Sequence, residues 1–272
     1  MRILVTGHRG RIGSVVHRRL EEAGHDVEGF DILDGRDVMD LQSLIRHMQG
    51  CQAAVHLGAL MNGEDEIVFS TGVGGTWNLL QAAEACHVER IVYFSSVNAL
   101  GIFRGEDKPD FLPIDETHPC RPATSYGLSK YLSEEACSVF TSRTGIATIC
   151  LRPPIVWTDQ RIERIRRERA TDPSREWTPF WEYGCFIHVE DMARAAVCAL
   201  TCPDPGHVVL LLSADDLASE ELNSEELVVR HLPGVEWRGG DFKNREPFAS
   251  LVDTRQAKKL LGWLPSYRWR DV

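Results

Sequence analysis

Short apolar runs alternate along this chain with longer stretches in which apolar residues recur every three or four positions. RILV (2–5), DVEGF (26–30), AAVHL (53–57), RIVYF (90–94) and ATICL (147–151) have strand length and are rich in β-branched or aromatic residues. Between them lie RIGSVVHRRLEEAG (11–24), DLQSLIRHMQ (40–49), TWNLLQAAEAC (76–86) and SYGLSKYLSEEACSVFTSRTG (125–145), each with the helical period. Strands alternating with helices of this length predict an α/β fold, a doubly wound parallel sheet covered by helices on both faces.

Beyond residue 150 the pattern loosens. A dense charge run, RIERIRRERATDPSRE (161–176), reads as a solvated helix. A helix HVEDMARAAVCAL (188–200) and a strand HVVLLL (207–212) return to the earlier style, and ASEELNSEELVVRHL (218–232) and TRQAKKLLGW (254–263) read as further helices. The interruption predicts a main domain from 1–153 plus 188–213 and a small substrate lobe from 154–187 plus 214–272. No internal repeat or low-complexity linker is present. With 272 residues the chain can bury a substantial core without disulfides or metals.

The formal net charge of −10 argues against nucleic acid or an anionic membrane as partner, because both demand concentrated positive charge. No apolar run reaches the length of a membrane span, and MRILVTG reads as a strand entering a turn rather than a leader, so a cytoplasmic location is the expectation. Eight cysteines are scattered without a CxxC pair, which fits buried reduced thiols and gives no metal site.

TGHRGRIG (6–13) places glycines at 7, 10 and 13 between the first strand and the first helix. Gly7 permits the tight turn, Gly10 lets backbone approach a pyrophosphate, and Gly13 lets helix pack on sheet. The helix then directs its free amides and positive end at the phosphates, the arrangement of a Rossmann-type dinucleotide site. Arg9, Arg11 and Ile12 complete the expected contacts of this turn. Asp31 closes the second strand, where a carboxylate accepts both ribose hydroxyls of an adenosine and repels a 2′-phosphate; this favours NAD over NADP, with Arg9, Arg11 and Arg36 near enough to soften the preference.

Tyr126 and Lys130 are four apart and share one helical face, which puts an ammonium near a phenol. A free tyrosine has a pKa of ~10, too high for a base near neutrality. Bringing it near 7 takes roughly 4 kcal/mol of preference for the phenolate, which an ammonium and an oxidised nicotinamide together can supply. Tyr126 is therefore the candidate acid–base.

Glycines 7–13, AVHLGA (54–59), YFSSVNALG (93–101), SYGLSK (125–130), LRPP (151–154) and FIHVEDMA (186–193) occur in an order and spacing that resemble the extended short-chain dehydrogenases/reductases. The chain is similar to their NAD-dependent epimerase/dehydratase group, and the tail DTRQAKKLLGWLP (253–265) resembles that group's closing segment. The resemblance implies Ser96 as the hydroxyl that bonds the reacting oxygen, beside Tyr126 and Lys130, which also touch the cofactor. It implies further NAD contacts from a supporting Ser95, from Leu57, Gly58 and Ala59, from Asp37 and Val38 at the adenine, and from Pro153 near the nicotinamide. A homodimer through the helices at 76–87 and 125–143 is implied as well. His56 and His188 read as satisfied core histidines.

Departures from the group's pattern narrow the function. Ser96 is followed by Val97 and Asn98 rather than by the Asp-Glu pair of the sugar-nucleotide dehydratases. Pro154-Ile155 and Gly184-Cys185 stand where epimerases of the group carry an asparagine and an arginine for the substrate diphosphate, unless the arginines at 161–169 replace them. Gly72 stands where relatives commonly have asparagine. A small lobe fits a free sugar or sugar acid, on whose ring Trp157, Trp177, Phe180, Trp181 and Tyr183 can stack if they do not simply pack the core. The resulting expectation is an NAD-dependent oxidoreductase acting on a sugar-like hydroxyl. A nucleotide-sugar epimerase that retains its NAD and a dinucleotide-binding protein without turnover are the alternatives.

Overall fold

The computed structural model describes residues 1–104, 106–177 and 182–271. Along the chain run β1 (Arg2–Thr6), α1 (Gly13–Glu22), β2 (Asp26–Phe30), α2 (Leu41–Met48), β3 (Ala53–His56), α3 (Asp65–Ala85) and β4 (Arg90–Phe94). Then come β5 (Phe111–Leu112), α4 (Ser125–Thr144), β6 (Ala147–Arg152), β7 (Val156–Trp157), α5 (Asp159–Thr171), β8 (Ile187–His188), α6 (Val189–Thr201) and β9 (His207–Leu211). α7 (Ser224–His231), β10 (Glu236–Trp237) and α8 (Arg255–Leu261) complete the set.

Six strands form one parallel sheet in the order β2-β1-β3-β4-β6-β9. Each inner strand is buried on both faces, so its side chains alternate between two cores. Ile3, Val5, Val55, Val92 and Ile149 join α1 and α6 through Val16, Leu20, Met192 and Ala196. Leu4, Ala54, Ile91, Tyr93 and Cys150 join α2, α3 and α4 through Leu44, Met48, Leu80, Cys137 and Phe140. Each large side chain so enclosed contributes about 1.5–3 kcal/mol. The chain winds outward from β1 to β2 and returns to β3, which makes a crevice at the carboxyl ends of β1 and β3, where ligands bind in such sheets.

One helix is longer than its sequence pattern. The spacing gives 76–86, whereas α3 begins at Asp65. The added turns carry Gly72, Gly74 and Gly75, poor helix formers that mask the signal. Packing overrides propensity here: a β-carbon on Gly75 would lie 2.7 Å from Val38, and one on Gly72 would lie 2.7 Å from the Ser129 hydroxyl. The opposite holds at 218–232, where the helix shortens to α7 because Asn223 and Glu226 form a reciprocal cap.

Outside the sheet, β5 pairs with β10 and β7 with β8. Val97, Leu112, Tyr183, Leu217, Leu227 and Leu251 build a third cluster. Trp157, Ile162, Phe186 and Trp269 build a fourth. The charge run is less solvated than expected. α5 turns Ile162 and Ile165 inward, and its Arg166 and Arg169 lie over the Trp269 ring at 4.7 and 5.1 Å. Ala257 and Leu261 of α8 pack into the α1/α6 core, so the end of the stretch assigned to the lobe braces the sheet instead.

Candidate active site

The glycine turn is built by close approach. Gly7 has φ +70, and its N–H donates to Phe30 O at 2.8 Å. A β-carbon on Gly13 would fall 2.0 Å from the Gly7 carbonyl oxygen, and one on Gly10 would fall 3.1 Å from it. Among the described residues the N–H groups of Arg11, Ile12 and Gly13 have no acceptor, as an anion cradle at a helix start requires. Asp31 is buried beside this turn; its Oδ2 accepts from Arg9 N–H at 3.0 Å and its Oδ1 from Leu33 N–H at 2.9 Å. A carboxylate offers about four acceptor positions, so two remain for a ribose. The Arg9 guanidinium is paired with Asp34, that of Arg36 with Glu28 and Gly29 O, and Arg11 is exposed.

Across the crevice, Thr6 Oγ1 accepts from the N–H groups of Leu57 and Gly58 at 3.2 and 3.0 Å and meets His56 Nδ1 at 2.6 Å. His56 Nε2 lies 3.3 Å from Thr76 Oγ1, and burial lowers this ring to about 3. It is the satisfied core histidine expected. His188 caps α6, accepting from Glu190 N–H, and stacks on Tyr267, but its buried Nε2 has no hydrogen-bond partner among the described residues, so it is only partly satisfied. Val38 packs against Gly58, with exposed Asp37 just before it and Ala59 just beyond the loop, so these residues line the same rim. The cradle, Asp31 and this rim fit a dinucleotide.

The catalytic candidates converge from β4 and α4. Ser96 follows β4, and Tyr126 is the second residue of α4, whose start is capped by Thr124 accepting from Gly127 N–H at 3.0 Å. The Ser96 hydroxyl, whose Oγ accepts from Asn98 N–H at 3.1 Å, favours the ionised form of the Tyr126 phenol. Lys130 is buried with its Nζ donating to Phe94 O at 2.7 Å, 5.6 Å from the Tyr126 ring centroid. Pro153 O accepts from Val97 N–H at 3.1 Å, which ties the end of β6 to the Ser96 turn.

Burial pushes the phenol up to about 12, Ser96 and the Arg104 charge pull it down, and the Glu182 charge pushes it further up. Lys130 turns its ammonium to the Phe94 carbonyl, and burial has lowered it to about 8. Desolvation outweighs a cation spent on another acceptor.

Beneath these residues lies a buried network. Ser95 Oγ donates to Glu134 Oε1 at 2.5 Å, and Arg152 spans the same carboxylate with Nε to Oε1 at 2.7 Å and Nη2 to Oε2 at 2.6 Å. Arg152 also reaches Cys120 Sγ at 3.1 Å. Ser95 is thereby tied into this network. Glu182 is also buried, with Oε2 accepting from Ile155 N–H at 2.6 Å. Glu182, Tyr183 and Gly184 all have positive φ (48, 56 and 72), a conformation costing about 1–2 kcal/mol for each non-glycine residue. Tyr183 clamps the bend by donating to Ile102 O at 2.5 Å.

The model of the family described as NAD dependent epimerase/dehydratase matches residues 3–210. The chain belongs to this family. Uronate dehydrogenase of Pseudomonas syringae pv. tomato is 26% identical over 228 residues, covering 79% of this chain and 75% of that protein. L-Arabinose 1-dehydrogenase (NAD(P)(+)) of Haloferax volcanii is 30% identical over 235 residues, 79% of this chain and 89% of that one. A short-chain dehydrogenase/reductase superfamily protein from Agrobacterium tumefaciens, solved with bound NAD, superposes with a TM-score of 0.73 at 24% identity, covering 99% of this chain and 94% of that one. The chain is thus an NAD-dependent enzyme of the epimerase/dehydratase family.

Against that family the departures acquire structural meaning. At Gly72 the space for a side chain is filled by Ser129, whose Oγ donates to Tyr126 O at 2.8 Å. Cys185 is fully buried, and Gly184 lies against Leu217, so neither offers a cation to a diphosphate. Asn98 keeps its Oδ1 buried without a partner among the described residues, two positions from Ser96. Of the aromatic residues, Trp157 is core, stacked on Phe186 at 4.9 Å, and Tyr183 is the clamp. Phe180, Trp181 and the Trp177 side chain lie outside the described residues.

Glu134 and Glu182 escaped the sequence reading. Glu134 had a signal, since it extends the Tyr126–Lys130 spacing by another four residues. Glu182 had none: it lies in an irregular segment, and it is brought to Ile155, two residues past Pro153, only by a long-range hydrogen bond.

Proposed function

We propose that this chain is an NAD-dependent dehydrogenase that oxidises a secondary hydroxyl or hemiacetal carbon of a free sugar or sugar acid, with Tyr126 as its acid–base. NAD, when bound, supplies the hydride acceptor. The convergence of Ser96, Tyr126 and Lys130 at the ends of β4 and α4 carries the reading. The phenol oxygen takes the proton of the substrate hydroxyl, and Ser96 Oγ holds that same oxygen in place. Lys130 keeps a positive charge beneath the ring. Because burial outweighs Ser96 and Arg104 and holds the phenol near 12, proton removal depends on positive charge added at the site, which ties the chemistry to the loaded enzyme.

The absence of cations at positions 184 and 185 supports a free sugar over a nucleotide sugar. Exposed Leu128 and Val139 on α4, with Ile67 and Trp77 on α3, support a homodimer through these two helices. Eight free cysteines support a reducing compartment such as the cytoplasm.

A panel of free sugars, uronic acids and nucleotide sugars, assayed with NAD and with NADP for nicotinamide reduction, tests the reading. Tyr126→Phe is expected to lower kcat about 10²–10⁴-fold with NAD binding kept. Turnover without consumption of added NAD would establish the epimerase alternative. Full activity in Tyr126→Phe would remove the assignment.

A further inference from the structure

His56 is buried between the cofactor rim and α3, in a run of hydrogen bonds whose protons can each be assigned. Thr6 Oγ1 accepts from Gly58 N–H at 3.0 Å and shares the Leu57 N–H with Thr6 O, each at 3.2 Å. The Thr6 hydroxyl proton then has one acceptor among the described residues, His56 Nδ1 at 2.6 Å. At the other end, Thr76 Oγ1 lies 2.7 Å from Gly72 O and 3.3 Å from His56 Nε2. A carbonyl only accepts, so the Thr76 proton goes to Gly72 O and a Thr76 lone pair is left for the imidazole. The imidazole therefore carries its proton on Nε2. Moving that proton to Nδ1, or adding a second one there, would leave the buried Thr6 hydroxyl proton without an acceptor. Burial and the Lys130 charge also disfavour the imidazolium. Thr6, His56, Thr76 and Gly72 thus form a chain in which every bond points the same way and each polarises the next.

We propose that His56 is a positioning residue of the cofactor site: the chain through it ties loop 57–59 to the glycine segment of α3, and NAD affinity depends on that tie. The near end meets the phosphate cradle directly. A β-carbon on Gly7 would lie 3.0 Å from Gly58 N and from the Leu57 carbonyl carbon, so a shift of this loop is felt by the turn that starts the cradle. The far end is held from α4: Gly72 O also accepts from Ser133 Oγ at 3.3 Å, and Ser129 fills the space over Gly72. His56 and Thr76 are each 1% exposed, too deep to touch a bound dinucleotide, so whatever they contribute to its affinity travels through the chain. The inference rests on NAD binding and not on the dehydrogenase reading, so the identity of the substrate does not enter its test.

Two measurements test it without turnover. The first uses the wild type, labelled with 15N at histidine. Its long-range 1H–15N spectra should show His56 as the Nε2–H form from pH 5 to 8, on both sides of the ordinary imidazole value of about 6.5. Saturation with NADH should shift that resonance, although the ring is out of the ligand's reach. An Nδ1–H form, a ring that titrates in this interval, or a resonance that NADH leaves unmoved would each overturn the proposal. The second is a fluorescence titration with NADH. Thr76→Val keeps the shape of the side chain and removes the acceptor of Nε2–H, and Kd is expected to rise about fivefold. Thr76→Ser restores the hydroxyl and is expected to stay within about twofold of the wild type. Urea titrations of the same variants separate affinity from stability. A Thr76→Val protein that loses stability but keeps its Kd makes the chain a packing device only, and the proposal falls. Should Thr76→Val not fold, the wild-type spectra with and without NADH decide.

Discussion

On the cradle side of the crevice the site is made by leaving atoms out; on the side of α4 and residues 152–188 it is made by tying buried atoms down. At the ends of β1 and β3 the chain approaches itself so closely that Gly13 has no room for a methyl group, and the polar work falls to backbone N–H groups and Asp31. Around Tyr126 nearly every determinant is a side chain held by a hydrogen bond to another side chain or to the backbone. Lys130 is held by Phe94 O, Glu134 by Arg152 and Ser95, Glu182 by Ile155, and Tyr183 by Ile102. The first construction tolerates no addition, and the second tolerates no removal. A cradle of backbone suits a cofactor common to a whole family, while a wall of anchored side chains can differ from member to member.

The contrast is broken most forcefully by removing a partner from the wall. Glu134→Ala leaves the Arg152 guanidinium buried without its carboxylate, and the expected cost is about 3–5 kcal/mol of folding stability by urea titration. A second change, Arg152→Met, should restore much of that loss, because an apolar side chain needs no partner. If Glu134→Ala cost less than 1 kcal/mol, water would be serving the guanidinium and the wall would not depend on the pair. The matching experiment on the cradle adds one carbon. Gly13→Ala must displace the Gly7 carbonyl, and NAD affinity is expected to fall about a hundredfold, ~2.7 kcal/mol, in a fluorescence titration with NADH. Unchanged affinity would mean that the turn has slack the distances do not show.

The same contrast explains what the sequence disclosed. Gly7, Gly10, Gly13 and Asp31 were readable because a backbone-built site writes its sterics into local residue types at fixed spacing. The sheet was readable because strands buried on both faces give continuous apolar runs. Tyr126 and Lys130 were readable through helical period, and Ser96 through resemblance. What escaped depends on distance along the chain. The phenol stays high because the folded chain buries it, and no spacing reports that burial. Ser95 is drawn to Glu134, Gly72 is fitted to Ser129, and α3 starts early because its glycines accept close packing. Glu182 is fixed by a hydrogen bond 27 residues back, at Ile155.

The finest test concerns a single oxygen in the wall. Tyr183→Phe removes the hydroxyl that donates to Ile102 O, keeps the ring against Phe103, and leaves the loop carbonyl without this donor. A neutral hydrogen bond of this kind is worth about 1 kcal/mol, so only a small fall in stability is expected. Its consequence for turnover should be disproportionate. The bond pins a left-handed residue next to Glu182, and strain of about 1–2 kcal/mol per residue is waiting to relax once the pin is gone. Relaxation moves the carboxyl, loosens Ile155 two residues past Pro153 and leaves the cradle untouched, so KM for the sugar should rise several-fold while NAD affinity stays constant. A parallel loss of both affinities would mean that the two sides of the crevice are one mechanical unit, and the division between them would have to be given up.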